Sequence, residues 1–266
     1  FILGSPFPIV LGYDVCGEIV EIGNEISKFK IGDIVFGILD NKYGRALAEF
    51  SVGHEKCFSL KPDKISDIEA AAYPMVSLTS LQAFRDKANL KPGQTVLING
   101  ASGGVGHVAI QIAKLMGAKV IAVSSSKSKE FVAKFDPDLF IDYTEQDILK
   151  LDTKVDVFFD VVGNLTFKKT KHLLNTGGVY LNLLYLAMLA KTLTHKFLQL
   201  FSKGKKAITL LMKHDSADLE IIANWISEGK LKINIDKSFS LEKISEAHEY
   251  AQQGHNKGKN VIVISN

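Results

Sequence analysis

The run Thr95-Val96-Leu97-Ile98-Asn99-Gly100-Ala101-Ser102-Gly103-Gly104-Val105-Gly106 constrains this chain more than any other segment. A β-branched stretch enters a glycine-rich turn. An amphipathic pattern leaves it through His107, Val108, Ile110, Gln111, Ile112, Ala113, Leu115 and Met116. Strand, glycine turn and helix, in that order, suit a dinucleotide pyrophosphate. Glycines let the backbone approach phosphate, and a helix start offers free N–H donors and the positive end of its dipole. Flanked in this way, the motif carries more weight than a glycine pattern alone.

The surrounding pattern repeats the unit. Strand-like runs occur at Val96 to Asn99, Val120 to Val123, Leu139 to Ile141, Val155 to Val161, Val179 to Leu184 and Ala207 to Met212, with helical stretches between most of them. This predicts an α/β fold: a doubly wound parallel sheet with helices on both faces. Residues 1–60 differ. Short runs at Cys16 to Ile22, Ile34 to Ile38 and Ala46 to Val52 are punctuated by glycines, a β-rich texture. Lys61-Pro62-Asp63 marks a boundary before a helix capped by Ser66 or Asp67. After the parallel region, Asp215 to Glu228 reads as a helix with Ile221, Ile222, Trp225 and Ile226 on its apolar side. A strand (Lys232 to Ile235), a helix (Leu241 to Gln253) and a last strand (Val261 to Ile264) follow.

With 266 residues the chain can bury one large core or two moderate ones. A net charge of +3, carried by lysine apart from Arg45 and Arg85, gives no footprint for nucleic acid. Cys16 and Cys57 form no CxxC pair and no disulfide framework, so a reducing compartment, the cytoplasm, is expected. No apolar run reaches the roughly 18 residues of a membrane span. The longest, Val179 to Ala190, is interrupted by Asn182. Lys191 to Lys213 interleaves lysines with Leu193, Phe197, Leu198, Leu200, Phe201 and Leu211. Such a segment can rest peripherally on an acidic membrane. The plain alternative is a helix packed by its apolar face, followed by an edge strand.

A dinucleotide site usually places an acidic residue about 20 positions beyond its glycines, on the adenosine ribose. Here the second strand, Lys119 to Val123, ends in Ser124-Ser125-Ser126-Lys127-Ser128-Lys129, without a carboxylate. Hydroxyls and a lysine would bind a 2′-phosphate that a carboxylate would repel. Each charged hydrogen bond is worth roughly 1.5–3 kcal/mol, about ten- to a hundredfold in affinity. This favours NADPH over NADH. The alternative is a polar loop whose serines only cap a helix.

The chain resembles the medium-chain dehydrogenase/reductases. The resemblance rests on Pro8-Ile9-Val10-Leu11-Gly12-Tyr13-Asp14-Val15-Cys16-Gly17-Glu18-Ile19-Val20, Gly32-Asp33-Ile34-Val35-Phe36-Gly37, Ala70-Ala71-Ala72-Tyr73-Pro74, Thr79, the glycine loop, Asp160-Val161-Val162-Gly163 and Gly254-His255-Asn256-Lys257-Gly258-Lys259. It is strongest to the zinc-independent quinone oxidoreductase and enone reductase branch. It implies a GroES-like catalytic domain (1–76), N-terminally partial here, a Rossmann domain (77–212) and a return to the catalytic domain (213–266). By the same resemblance, Ser102, Gly103, Gly104 and Val105 match the pyrophosphate loop, and Ser124, Ser125 and Lys129 match 2′-phosphate contacts. Tyr143 matches an adenosine-side contact, Val162 and Gly163 a turn near the cofactor's centre, and Thr79 and Leu183 positions near the nicotinamide. Pairing of the last sheet strand between subunits would make a homodimer, and an unpaired apolar edge is a liability in any case.

Zinc alcohol dehydrogenases of that family carry Gly-His-Glu where this chain has Gly12-Tyr13-Asp14, and tyrosine is not a usual zinc ligand. The cysteine-rich structural-zinc lobe is missing too. His54-Glu55 lacks partners and reads as a surface loop, and His107 reads as a packing or surface residue. No zinc is therefore expected, and a zinc alcohol dehydrogenase is the least favoured reading. Without a Lewis acid, easily reduced acceptors suit the site best: a quinone, or the β-carbon of an α,β-unsaturated carbonyl. Positioning the nicotinamide in a dry, apolar pocket would supply most of the catalysis. The catalytic candidates are Thr79 and Tyr13. Tyr13 can donate to the substrate oxygen or aid protonation; otherwise it is an aromatic packing residue. The competing functional class is a non-catalytic NADPH-binding scaffold or membrane-associated module of the same fold.

Overall fold

The computed structural model describes residues 8–41, 44–183, 204–254 and 256–264. The chain opens with β1 (Asp14–Glu18), β2 (Ile34–Ile38), β3 (Phe58–Leu60), α1 (Asp67–Ala72), α2 (Pro74–Gln82) and a π-helical turn, Ala83–Ala88. Next come β4 (Thr95–Asn99), α3 (Gly104–Leu115), β5 (Lys119–Ser124), α4 (Lys129–Ala133), β6 (Leu139–Asp142), β7 (Val155–Asp160), α5 (Phe167–Thr170), β8 (Leu174–Leu183) and β9 (Lys206–Leu210). The tail holds α6 (Ser216–Ser227), β10 (Ile235–Ser240), α7 (Ile244–Gln252) and β11 (Lys259–Val263). The chain divides into two compact units: residues 79–212, and residues 1–78 together with 213–266.

The unit of residues 79–212 is a six-stranded parallel sheet in the order β6-β5-β4-β7-β8-β9. Strand order reverses between β4 and β7. In doubly wound folds that reversal opens a crevice at the carboxyl ends of the strands, where ligands bind. The central strands are near-continuous apolar runs, as strands buried on both faces must be. Val96, Ile98, Val120, Ala122, Phe158 and Phe159 are fully buried. Leu97, Val123, Phe158, Phe167, Leu174 and Tyr180 belong to one core cluster. α3 buries Val108, Ala109, Ile110, Ile112 and Ala113, the stripe expected of its 3.6-residue period. Two of the crossover helices are short: α4 and α5 have five and four residues. β8 starts earlier than predicted, at Leu174, and β9 ends at Leu210 rather than Met212. The predicted basic segment from Lys191 lies outside the described residues as far as Lys203. Among the described residues no helix is long and apolar enough to cross a membrane.

The other unit holds an antiparallel sheet, β1-β2-β3, and a parallel pair, β10-β11, bridged by α7. Ser66 starts α1 with a full capping box: its hydroxyl accepts from Glu69 N, and the Glu69 carboxylate accepts from Ser66 N. Four sequence expectations shift here, the first being the opening strand, which runs Asp14–Glu18 rather than Cys16 to Ile22. Ala46 to Val52 is not a strand. Among the described residues, Ala46 N and Leu47 N donate to Gly12 O and Leu11 O on a neighbouring stretch, the pairing goes no further, and Val52 is 89% exposed. The tail strand begins at Ile235 rather than Lys232, because Ile235 is where pairing with β11 begins. In α6, Leu219 joins Ile222 and Ile226 inside, while Ile221 faces outward.

Candidate functional site

β4 delivers the chain to Gly100, whose φ of +91° favours glycine. Gly100 N and Ala101 N both donate to Val123 O (3.1 and 2.9 Å), bending the loop against the end of β5. A Cβ on Gly106 would collide with the Gly100 carbonyl, and one on Gly100 would come 2.7 Å from Val162 Cγ2. Gly103 is the N-cap of α3 and supplies no side-chain cap. The first-turn N–H groups of Gly104, Val105 and Gly106 therefore face the loop without an intrahelical acceptor. This is a cradle for an anionic bridge, and it fits a dinucleotide pyrophosphate.

Ser124 Oγ donates to Ser102 Oγ (2.8 Å), so the glycine loop and the end of β5 meet as the sequence pattern implies. Ser125 stands at the N-cap position of the short turn Ser126–Ser128, where its carbonyl accepts from Ser128 N (2.9 Å) and its side chain makes no capping bond, and Lys129 stands exposed at the start of α4. Tyr143 N donates to Ser124 O (3.2 Å), and the Tyr143 side chain is exposed. Sequence reasoning missed a neighbour. Asp142 lies opposite Ser124 in the β5–β6 register. It accepts from Thr144 N and Oγ1 (2.9 and 2.7 Å), and bonds to Thr144 and Ser126 hold its carboxyl below the usual carboxylate range. The signal was a strand-end acidic residue one strand over, which only the register could place there.

Across the crevice, Val162 is exposed beside Gly100, and Gly163 has a φ of +75°. Leu183 ends β8 opposite Leu210 of β9. Beneath this turn Tyr180 is fully buried, and burial together with the Asp160 carboxylate raises its phenol well above the usual range. Thr79 is nearly buried on α2 in the same unit. His107 is fully buried against Phe131 and Phe135, with Nδ1 2.8 Å from Gly103 O, so it packs under the loop.

Tyr13 belongs to the other unit, immediately before β1, and is 39% exposed. Its neighbour Asp14 is fully engaged. Oδ1 accepts from Met75 N at the start of α2 (2.8 Å), and Oδ2 pairs with Lys259 Nζ (2.9 Å). Gly12-Tyr13-Asp14 thus does not fit a zinc ion: one side chain is not a usual ligand, and the other has both oxygens committed. His54 Nδ1 accepts from Lys56 N, capping a turn. Among the described residues no three histidine, cysteine or carboxylate side chains gather as metal ligands.

Residues 2–60 match the family model of the alcohol dehydrogenase GroES-like domain, and residues 136–262 match that of zinc-binding dehydrogenase. The chain is 33% identical to the chloroplast envelope quinone oxidoreductase homolog of Arabidopsis thaliana, covering 98% of this chain and 81% of the relative. It is 32% identical to 2-methylene-furan-3-one reductase of Solanum lycopersicum, over 97% of this chain and 64% of that one. Among solved structures, the quinone oxidoreductase from Coxiella burnetii superposes with a TM-score of 0.85 at 32% identity, over 96% of this chain and 79% of that one. With the parallel sheet, the glycine cradle at its crevice and the antiparallel GroES-like sheet in place, these likenesses make the chain an oxidoreductase of the medium-chain dehydrogenase/reductase family.

Proposed function

We propose that this oxidoreductase takes NADPH and delivers hydride, without zinc, to a quinone or to the β-carbon of an α,β-unsaturated carbonyl. One observation carries the cofactor choice: the Ser102–Ser124 contact joins the glycine cradle to a β5 end that offers hydroxyls and Lys129, while the Asp142 carboxylate opposite Ser124 is engaged by Thr144 N and Oγ1. When bound, the nicotinamide supplies the hydride. The chain's residues do the rest. The first turn of α3 holds the pyrophosphate, Ser124, Ser125 and Lys129 hold the 2′-phosphate, and Tyr143 flanks the adenosine. Thr79, Leu183 and the Val162–Gly163 turn orient the nicotinamide half. Tyr13 donates a hydrogen bond to the oxygen of the acceptor.

The acceptor class is supported by the Arabidopsis and tomato relatives, one named for quinones and the other for a conjugated ketone. Independence from zinc is supported by Tyr13 and by the committed oxygens of Asp14. The proposal extends to a homodimer, supported by the place of β9 at the rim of the described sheet. It also includes a reducing, cytoplasmic setting, supported by two free thiols, Cys16 and Cys57. The test is a screen of NADPH oxidation against quinones, short enals, long-chain enones and ketols in chelator-treated protein. Turnover with quinones or enones is expected. NADPH binding with turnover of neither class contradicts the reading and favours a scaffold.

A further inference from the structure

β7 ends in Asp160, whose side chain is fully buried. Its carboxylate meets four donors. Oδ1 accepts from Asn99 Nδ2 (2.9 Å) and Gly163 N (2.9 Å), and Oδ2 accepts from Leu165 N (3.1 Å) and the Tyr180 hydroxyl (2.9 Å). None of these partners is a cation. A buried carboxylate without a counter-ion is costly unless its oxygens are satisfied, and here they are. An apolar side chain would fill the same space without that demand, so the polar network calls for a purpose.

Three of the four bonds bind the two turns at the reversal of strand order, and the fourth comes from Tyr180 on β8. Asn99 immediately precedes Gly100 and also donates to Asn164 Oδ1 (3.0 Å). Gly163 N and Leu165 N fix the turn after β7, which is also held by Val161 N on Asn99 O (3.1 Å). The turns leave no room for a Cβ between Gly100 and Val162. A shift of one is therefore felt by the other.

We infer that Asp160 is a positioning residue for the middle of the dinucleotide, setting the Gly100 loop and the Val162–Gly163 turn as one unit without touching the cofactor. The inference rests on the proposed reading of these two turns as cofactor contacts. Asparagine at 160 has the same shape, but its NH2 would face Asn99 Nδ2 and Gly163 N on one side or Leu165 N on the other, where the Tyr180 hydroxyl, 3.0 Å from Leu165 O, can turn to accept; either way the Asp160→Asn protein keeps its volume and loses a bond to the turn after β7.

The experiment is calorimetric titration of the full chain with NADPH and with adenosine 2′,5′-bisphosphate, which lacks the pyrophosphate bridge and the nicotinamide half. Thermal midpoints are recorded alongside. In Asp160→Asn, NADPH affinity should fall about tenfold or more, while affinity for the bisphosphate stays within about twofold. A merely structural role lowers both together. Equal losses, or no loss for either ligand in folded protein, overturn the inference. If that variant does not fold, Asn99→Ala, which leaves Asp160 three of its partners, carries the same criterion with a loss of about threefold to tenfold. Wild-type protein that prefers NADH overturns the proposed cofactor choice instead, and the comparison then runs with NADH and AMP. Wild-type protein that binds neither dinucleotide overturns both.

Discussion

Lys129 stands exposed at the first position of α4, close in sequence to Ser124 and Ser125 at the end of β5. A charged hydrogen bond to phosphate contributes about 1.5–3 kcal/mol, and an exposed lysine gives the lower end of that range. Lys129→Ala is therefore expected to raise KM for NADPH about tenfold and to leave that for NADH within about twofold. Steady-state kinetics with each cofactor checks this, and equal effects on both would remove Lys129 from the 2′-phosphate site. The places of Ser102 on the glycine turn and Ser124 at the end of β5 were legible in the sequence because both sit at fixed offsets in a strand–turn–helix unit; the hydrogen bond between them was not. Asp142 was not. It reaches the β5 end through strand register, and no local spacing encodes a neighbour one strand away.

Asp14 shows how one side chain ties elements together. It joins β1, the start of α2 and β11 through Met75 N and Lys259 Nζ, with the two charged side chains 17% and 22% exposed. Pro74 opens α2 and needs no donor partner, so the carboxylate takes the next N–H and acts as a cap supplied from a distant strand. Asp14→Ala should cost about 1–3 kcal/mol in urea denaturation, and Asp14→Asn, which keeps an acceptor for Met75 N, roughly half of that. An unchanged urea midpoint in Asp14→Ala would show that the link contributes nothing. Elements with a strong period were legible: β4, β5, β7 and α3 lie where the apolar pattern puts them. Ala46 to Val52 was not, because alternation marks a half-buried strand only when a partner continues the ladder, and Phe50 and Val52 are exposed. The onset of β10 likewise depends on its pairing with β11 rather than on its own residues.

At the scale of the whole molecule, the cysteines give a pH signature. Burial pushes the Cys16 thiol up to about 12 and Cys57 up to about 11, from an ordinary value of 9.0. In that window the folded protein keeps protons that the unfolded chain releases, so stability falls as pH rises from about 9 towards 11. Urea midpoints at pH 7, 9 and 10.5 should decline, and less steeply in a Cys16→Ala, Cys57→Ala variant. Identical slopes in variant and wild type would show that the thiols play no part. The central claim concerns the cofactor and the absence of zinc chemistry. Its most direct measurement is the ratio of kcat/KM for NADPH over NADH, taken in chelator-treated protein with the best quinone or enone acceptor. A ratio of about ten or more is expected, unchanged when zinc is added back. A ratio below one, or activity that returns only with zinc, would contradict it.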